Sequence, residues 1–241
     1  MNNKGFAISS MVFGLVIIAS LVLFLTLSIS NNSKKQSNDF VDSVEEKLHS
    51  PILSQAYVDG KWQNSVASSG IIGTTGLNKR MKAFKIIKNN INYEGDISYY
   101  LHISDVGWSS ETSAPNYAGD KDHQIEAIII RLKGSSRNSY DLWYRVNVQE
   151  IGWMNWAKAY KNDDNDPFLT PPPTIKTELV NNGIADGKSF VAGTVGYACG
   201  IEAIQLYFLK SSQSPPYFGT SERSQGKAAL INTGAVNHSY C

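Results

Sequence analysis

The sequence predicts an all-β domain built as a pseudo-threefold repeat, a β-prism or β-trefoil-like fold, preceded by one long N-terminal transmembrane α-helix; a β-sandwich is the alternative. Trp62, Trp108 and Trp153 recur at intervals of 46 and 45 residues, each after a β-like run. Residues 6–29 form an unbroken run of 24 uncharged, mostly apolar positions. The 241-residue chain is 11% aromatic and 18% charged, a composition that suits a packed domain and argues against disorder over most of its length.

Taken in order, the first element is the apolar run FAISSMVFGLVIIASLVLFLTLSI. At about 1.5 Å per residue it makes a helix of roughly 36 Å, enough for a bilayer core of about 30 Å. A signal peptide has an apolar region of only about 7–15 residues and a small-x-small cleavage site, and the run is too long and lacks that site. Lys4 and the amino terminus on one side nearly balance Lys34 and Lys35 on the other, so the two cysteines and the kind of domain that follows favour an exported C-terminal part. Residues 30–50 are a linker and an amphipathic helix. Phe40, Val41, Val44 and Leu48 share one helical face, expected to lie on the following domain, with Asp39 as cap and Pro51 as stop.

Residues 51–241 hold the β-domain, with repeats over about 52–90, 96–134 and 141–210. The β-like runs before the tryptophans are QAYVDGK, ISYYLHISDVG and LWYRVNVQEIG. A glycine follows each tryptophan, Gly73, Gly119 and, after an insertion over 160–188, Gly193; an alternating apolar strand then begins at Lys82, Glu126 and Glu202. A unit of about 45 residues cannot bury an apolar face alone, whereas three can close around a common axis and remove free sheet edges. The tail 211–241, with a strand-like Ala228–Ile231, is expected to cover an end of the fold or to complete a sheet left short in the first copy.

A net charge of +1 argues against nucleic acid as partner. The four histidines are scattered, and no metal-ligand spacing, nucleophile elbow or phosphate loop is present, so the expectation is a non-enzymatic protein without a cofactor. Asp163, Asp164 and Asp166 in the insertion are weak candidate calcium ligands. Trp62, Trp108 and Trp153 read as repeat core. Trp143 and Trp156 have no counterpart in the other copies, which makes them candidates for an exposed ligand platform together with Tyr117, Tyr160 and Tyr197. Flat rings beside Asn, Gln and Asp suit a sugar. With no charged patch evident, aromatic surface and neutral polar groups are expected to hold the ligand.

Two resemblances add to this reading. Lys4-Gly5-Phe6 before the apolar helix resembles the leader of type IV prepilins and pseudopilins, which implies a leader over 1–5, cleavage between Gly5 and Phe6, and a minor pilin or pseudopilin role with pilin subunits as partners. Ser10 stands where that family carries Glu, which argues against a major subunit. The second resemblance is carried by VQEIGWMNWAK with VAGTVGYACGIEAIQL, by KWQN with IIGTTGLNKRMKAFKI, and by DVGW with IEAIII. These are similar to the clostridial hydrophobic repeat with a conserved tryptophan (ChW). The likeness implies a Gram-positive surface protein, anchored in the cell membrane by a single pass with its domain outside, that adheres to a cell-wall or extracellular glycan or protein. In an exported chain Cys199 and Cys241 are expected to pair, two free thiols being the alternative.

Overall fold

A computed structural model describes residues 45–161, 190–231 and 241, with the single positions 35 and 42, and the chain divides into the units Met1–Leu48 and His49–Cys241. The apolar run, the Gly5–Phe6 junction, most of the expected amphipathic helix and the insertion with Asp163, Asp164 and Asp166 lie outside the described residues. Among the described residues no helix is long and apolar enough to cross a membrane. Residues 45–49 are helical, and Leu48, expected to be buried on its own face, is exposed.

The second unit is nearly all strand. A first set comprises β1 (Ile52–Val58), β2 (Lys61–Trp62), β3 (Val66–Ala67), β4 (Ile71–Gly73) and β5 (Ala83–Lys88). A second comprises β6 (Ile97–Ile103), β7 (Gly107–Trp108), β8 (Thr112–Ser113), β9 (Ala118–Gly119) and β10 (Ile125–Leu132). A third comprises β11 (Tyr140–Val148), β12 (Gly152–Trp153), β13 (Ala157–Lys158), β14 (Val191–Val195) and β15 (Ile201–Lys210), and β16 (Ala229–Ile231) lies in the tail.

These strands form three sheets, not the two of a sandwich: β2-β1-β5-β9 with β3 on β1, β16-β14-β10-β6-β7 with β8 on β6, and β12-β11-β15-β4 with β13 on β11. Each sheet is a long antiparallel hairpin from one set, joined on one side by its tryptophan strand and on the other by a short strand from another set. β9 of the second set joins β5, β14 of the third joins β10, and β4 of the first joins β15. The tail strand β16 runs parallel to β14. It therefore extends the second sheet and does not complete the first, the short edge partner there being β9.

The recurrent glycine makes this exchange possible. Gly73, Gly119 and Gly193 pair in register with Ala203, Ala83 and Ala127, at φ of +103°, +104° and +115°. A Cβ on any of them would lie 2.7–2.8 Å from the partner alanine's Cα and closer still to the preceding carbonyl oxygen. The backbones approach too closely for a side chain, and only glycine adopts that φ readily.

Buried polar groups tie the sets together. The Met81 N–H donates to the Ile201 carbonyl and the Ile125 N–H to the Met81 carbonyl, each at 2.8 Å, at three positions wholly removed from solvent. The Tyr99 hydroxyl accepts from the Ile86 N–H of the first set and donates to the Asn116 carbonyl. Tyr144 repeats this one set later, accepting from the Ile130 N–H and donating to the Phe190 carbonyl. Burial pushes both phenols above the usual tyrosine pKa, so they stay protonated and able to donate. The inward faces of all three long hairpins, including Phe84, Ile86, Leu101, Ile128, Val146 and Ile204, meet in one core.

The unequal tryptophan spacing has a local cause. Val58 pairs with Lys61 across a two-residue turn, Asp59-Gly60, both at positive φ, as a primed hairpin turn requires. Ile103 pairs with Gly107, and Val148 with Gly152, across three residues. The residues facing the tryptophans, Tyr57, His102 and Asn147, are evenly 45 apart, and the extra turn residue lengthens the first interval to 46. The same difference explains why Lys61 precedes Trp62 where the other sets have glycine. Cys199 and Cys241 form a disulfide across 42 residues, pinning the chain's end to the domain.

Candidate functional site

Side chains alternate along each hairpin, and on β1 the outward positions are Leu53, Gln55 and Tyr57. Across the first sheet one outward row runs Trp62, Tyr57, Ala83, Gly119 through successive pairings. The other sheets carry corresponding rows, Trp108, His102, Ala127, Gly193 and Trp153, Asn147, Ala203, Gly73. The two small residues in each row leave space for rings to lean inward. All three tryptophans are therefore half-buried on outer sheet faces and are not residues of the central core, contrary to the sequence expectation. The parity of the pairing decides this, because each faces an outward residue.

The three rows differ in what lies over them. On the second sheet, Trp108 meets the His102 ring at 5.3 Å and packs at the edge of an apolar patch with Tyr100, Ile129, Val191 and Tyr160. On the third, the Arg145 guanidinium lies 4.4 Å from the Trp153 ring, 4.9 Å from Trp156 and 4.7 Å from Phe218 of the tail, and its Nε donates to Gln205 Oε1 at 2.9 Å. Arg145 is only 5% exposed, and burial lowers its pKa from the usual guanidinium value.

Among the described residues, the first sheet's row is the one left open. Tyr57 and Trp62 meet edge to face at 5.7 Å, and Trp62 meets Tyr117 at 5.6 Å. The Lys85 ammonium lies 4.9 Å from the Trp62 ring, and Lys121 lies 4.7 Å from Tyr117 and 5.4 Å from Tyr57. Tyr117 is 47% exposed. Neither lysine has a carboxylate within ion-pair distance among the described residues. The surface thus offers three rings for stacking and two ammonium groups outside any ion pair among the described residues. A charged element is present after all, against the expectation of purely neutral groups.

The other candidate residues lie elsewhere. Trp156, expected exposed, is 6% exposed because Tyr207, at 5.5 Å, and Arg145 cover it. Trp143 is half-buried beneath Lys158 at 5.0 Å, and both indole N–H groups lack an acceptor among the described residues. Tyr160 packs against Phe190, ring centroids 4.7 Å apart, beside the apolar patch. Tyr197 is packed against the central core and lines a cleft of about 590 Å³ with Glu222, Arg223 and Lys227. Of the five, only Tyr117 joins the open surface. Sequence reasoning missed Tyr57, Lys85 and Lys121 there; the signal within reach was that Tyr57 shares its strand parity with the outward-facing Gln55.

Among the described residues, no group of three or more His, Cys, Asp or Glu side chains is placed to hold a metal ion. No curated protein and no solved structure matches the chain. Residues 60–89, which carry Trp62, Gly73 and Lys85, match the family model for the clostridial hydrophobic W repeat (ChW), and the chain is similar to that family over this span.

Proposed function

We propose that this chain is a non-enzymatic binding protein of the cell surface, held by its N-terminal apolar helix, whose three strand sets are ChW-type copies closed into a pseudo-threefold β-prism. The ligand is an acidic glycan laid across Tyr57, Trp62 and Tyr117. ChW repeats occur in surface or cell-wall associated proteins, which supports the location. The observation that carries the ligand reading is the pair of ammonium groups, Lys85 and Lys121, without an ion-pair partner among the described residues and set among the three rings Tyr57, Trp62 and Tyr117. Sugar C–H faces stack on the rings, and a carboxylate or phosphate on the sugar meets the lysines.

The test is binding of the full chain to immobilised oligogalacturonides and to neutral cello-oligosaccharides of equal length. Binding is expected for the acidic series, weakening with salt. Trp62→Ala should weaken it by roughly tenfold or more, the loss of a stacked aromatic contact being worth about 1–3 kcal/mol by analogy with base stacking. Equal retention of both series, or undiminished binding by Trp62→Ala and by the double variant Lys85→Ala, Lys121→Ala, would refute the reading.

A further inference from the structure

A cleft of about 570 Å³ opens where the turn after β4 meets the β11–β12 hairpin and the tail. It shares no residue with the open aromatic row, and its lining is acidic: Glu150, Glu202 and Glu222 against Arg223, with Asn78 and Asn147. Acidic side chains alone would say little. Two buried groups say more. Glu202 is 4% exposed, and one of its oxygens accepts the Gly76 N–H at 3.0 Å, yet it has no ion-pair partner among the described residues. Asn147 is 6% exposed and lines the cleft, and its side-chain amide has no hydrogen-bond partner among the described residues. The amide is not shut off from solvent, so it faces the cleft and is available to bond an incoming group.

The second sheet shows what such a partner does. Glu126 precedes Ala127 as Glu202 precedes Ala203, and His102 faces Trp108 as Asn147 faces Trp153. There the His102 ring nitrogen meets Glu126 at 2.9 Å, and the sheet supplies its own partner for the buried carboxylate. In the third sheet asparagine replaces histidine, the carboxylate lacks that partner, and the cleft stands open.

We propose that this cleft binds a primary ammonium group, which takes at Glu202 the place that the His102 ring takes at Glu126. The Glu202 carboxylate and the Asn147 amide oxygen accept from it, and Glu222 adds negative charge to the lining, Glu150 being paired with Arg223 at 3.7 Å. The volume admits a residue the size of an amino acid or a hexosamine.

The test titrates the full chain with Nα-acetyl-lysine amide and with glucosamine, following the Gly76 backbone amide and the Asn147 side-chain amide by NMR. N-acetylglucosamine and the Nε-acetylated lysine probe serve as neutral controls. Saturable shifts are expected with at least one ammonium probe, which identifies the source, and not with its neutral counterpart. Glu202→Gln keeps an acceptor for Gly76 but loses the charge, and should weaken binding about tenfold or more with the melting midpoint held. Asn147→His should abolish binding by supplying an internal partner. Trp62→Ala should leave these shifts unchanged, so failure of the glycan reading and failure of this one are separable. Absence of saturation with both ammonium probes, or wild-type binding by Glu202→Gln, would overturn the proposal.

Discussion

Replacing Gly193 by alanine should damage the domain far more than replacing Gly60, although both sit at positive φ, +115° and +77°. A side chain at Gly60 meets nothing within 4 Å, so Gly60→Ala incurs only the backbone strain of a left-handed residue, about 1–2 kcal/mol. At Gly193 the new Cβ would stand 2.8 Å from Ala127 Cα and nearer still to the Glu126 carbonyl, both backbone atoms that no rotamer change can move. Relief requires lifting β14 from β10, where Ala127, Ile128 and Ile129 pair with Gly193, Ala192 and Val191. Losing about two ladder hydrogen bonds at roughly 1 kcal/mol each, on top of the strain, gives about 4 kcal/mol. For a domain of this size 1 kcal/mol moves the melting midpoint by about 2–4 °C, so Gly193→Ala should fall by about 8–16 °C and Gly60→Ala by a few degrees. Thermal and urea unfolding of the full chain, followed by tryptophan fluorescence, measure both. Midpoints that agree to within about 1 kcal/mol would refute the claim that close backbone approach, and not φ alone, selects glycine there.

Three further outcomes are expected. Closing a loop of 42 residues stabilises by about 4 kcal/mol in the chain-entropy model, so Cys241→Ser should lower the urea midpoint accordingly, and a variant that melts with the native chain would show the crosslink to be idle. Arg145→Met should fall within about 1.5 kcal/mol of native, because the thioether fills the space between Trp153, Trp156 and Phe218, whereas Arg145→Ala leaves a gap worth about 2–4 kcal/mol; equal midpoints would sink the packing argument. Burial disfavours the Glu111 carboxylate, but hydrogen bonds from Lys133 and Ser98 and the charges of Arg131 and Lys133 outweigh it and hold its pKa below the usual value. A carboxylate so depressed contributes stability above its unfolded pKa, about 4.3, and loses it as pH falls through the lower folded value. Glu111→Gln should therefore lower stability near neutral pH and flatten the acid limb below about pH 4, and an unchanged limb would refute the assignment.

Strand positions were legible because period-2 alternation and turn residues are local signals. β1, β6 and β11 fall where the β-like runs lie, and β5, β10 and β15 follow the recurrent glycine. The exchange of edge strands was not legible. Gly73 pairs with Ala203, 130 positions away, and nothing in either neighbourhood names the other. The same distance hid the fate of Trp156: Tyr207, Arg145 and the tail cover its side of the third sheet, and the tail carries no periodicity to announce where it lies. The tryptophans read as core because large aromatics usually are. Here the facing residues Tyr57, His102 and Asn147 point outward and take the indoles with them.

Equivalent backbone positions thus carry three tryptophans to three different ends, and the neighbouring outward pair decides which. Gln55 faces Lys85 on the first sheet, Tyr100 faces Ile129 on the second, and Arg145 faces Gln205 on the third. The second pair is apolar and gains by exclusion from water, so further apolar groups gather over Trp108. The third pair satisfies its own hydrogen bond, so its guanidinium can be buried between rings without losing all its partners. The first pair does neither. Gln55 turns its amide to the Gln63 carbonyl, leaving the Lys85 ammonium with the Trp62 ring and no ion-pair partner among the described residues. A lysine so placed resists burial by the chain's own apolar segments, which keeps the first row uncovered, and its unmet charge is the feature an anionic ligand can satisfy.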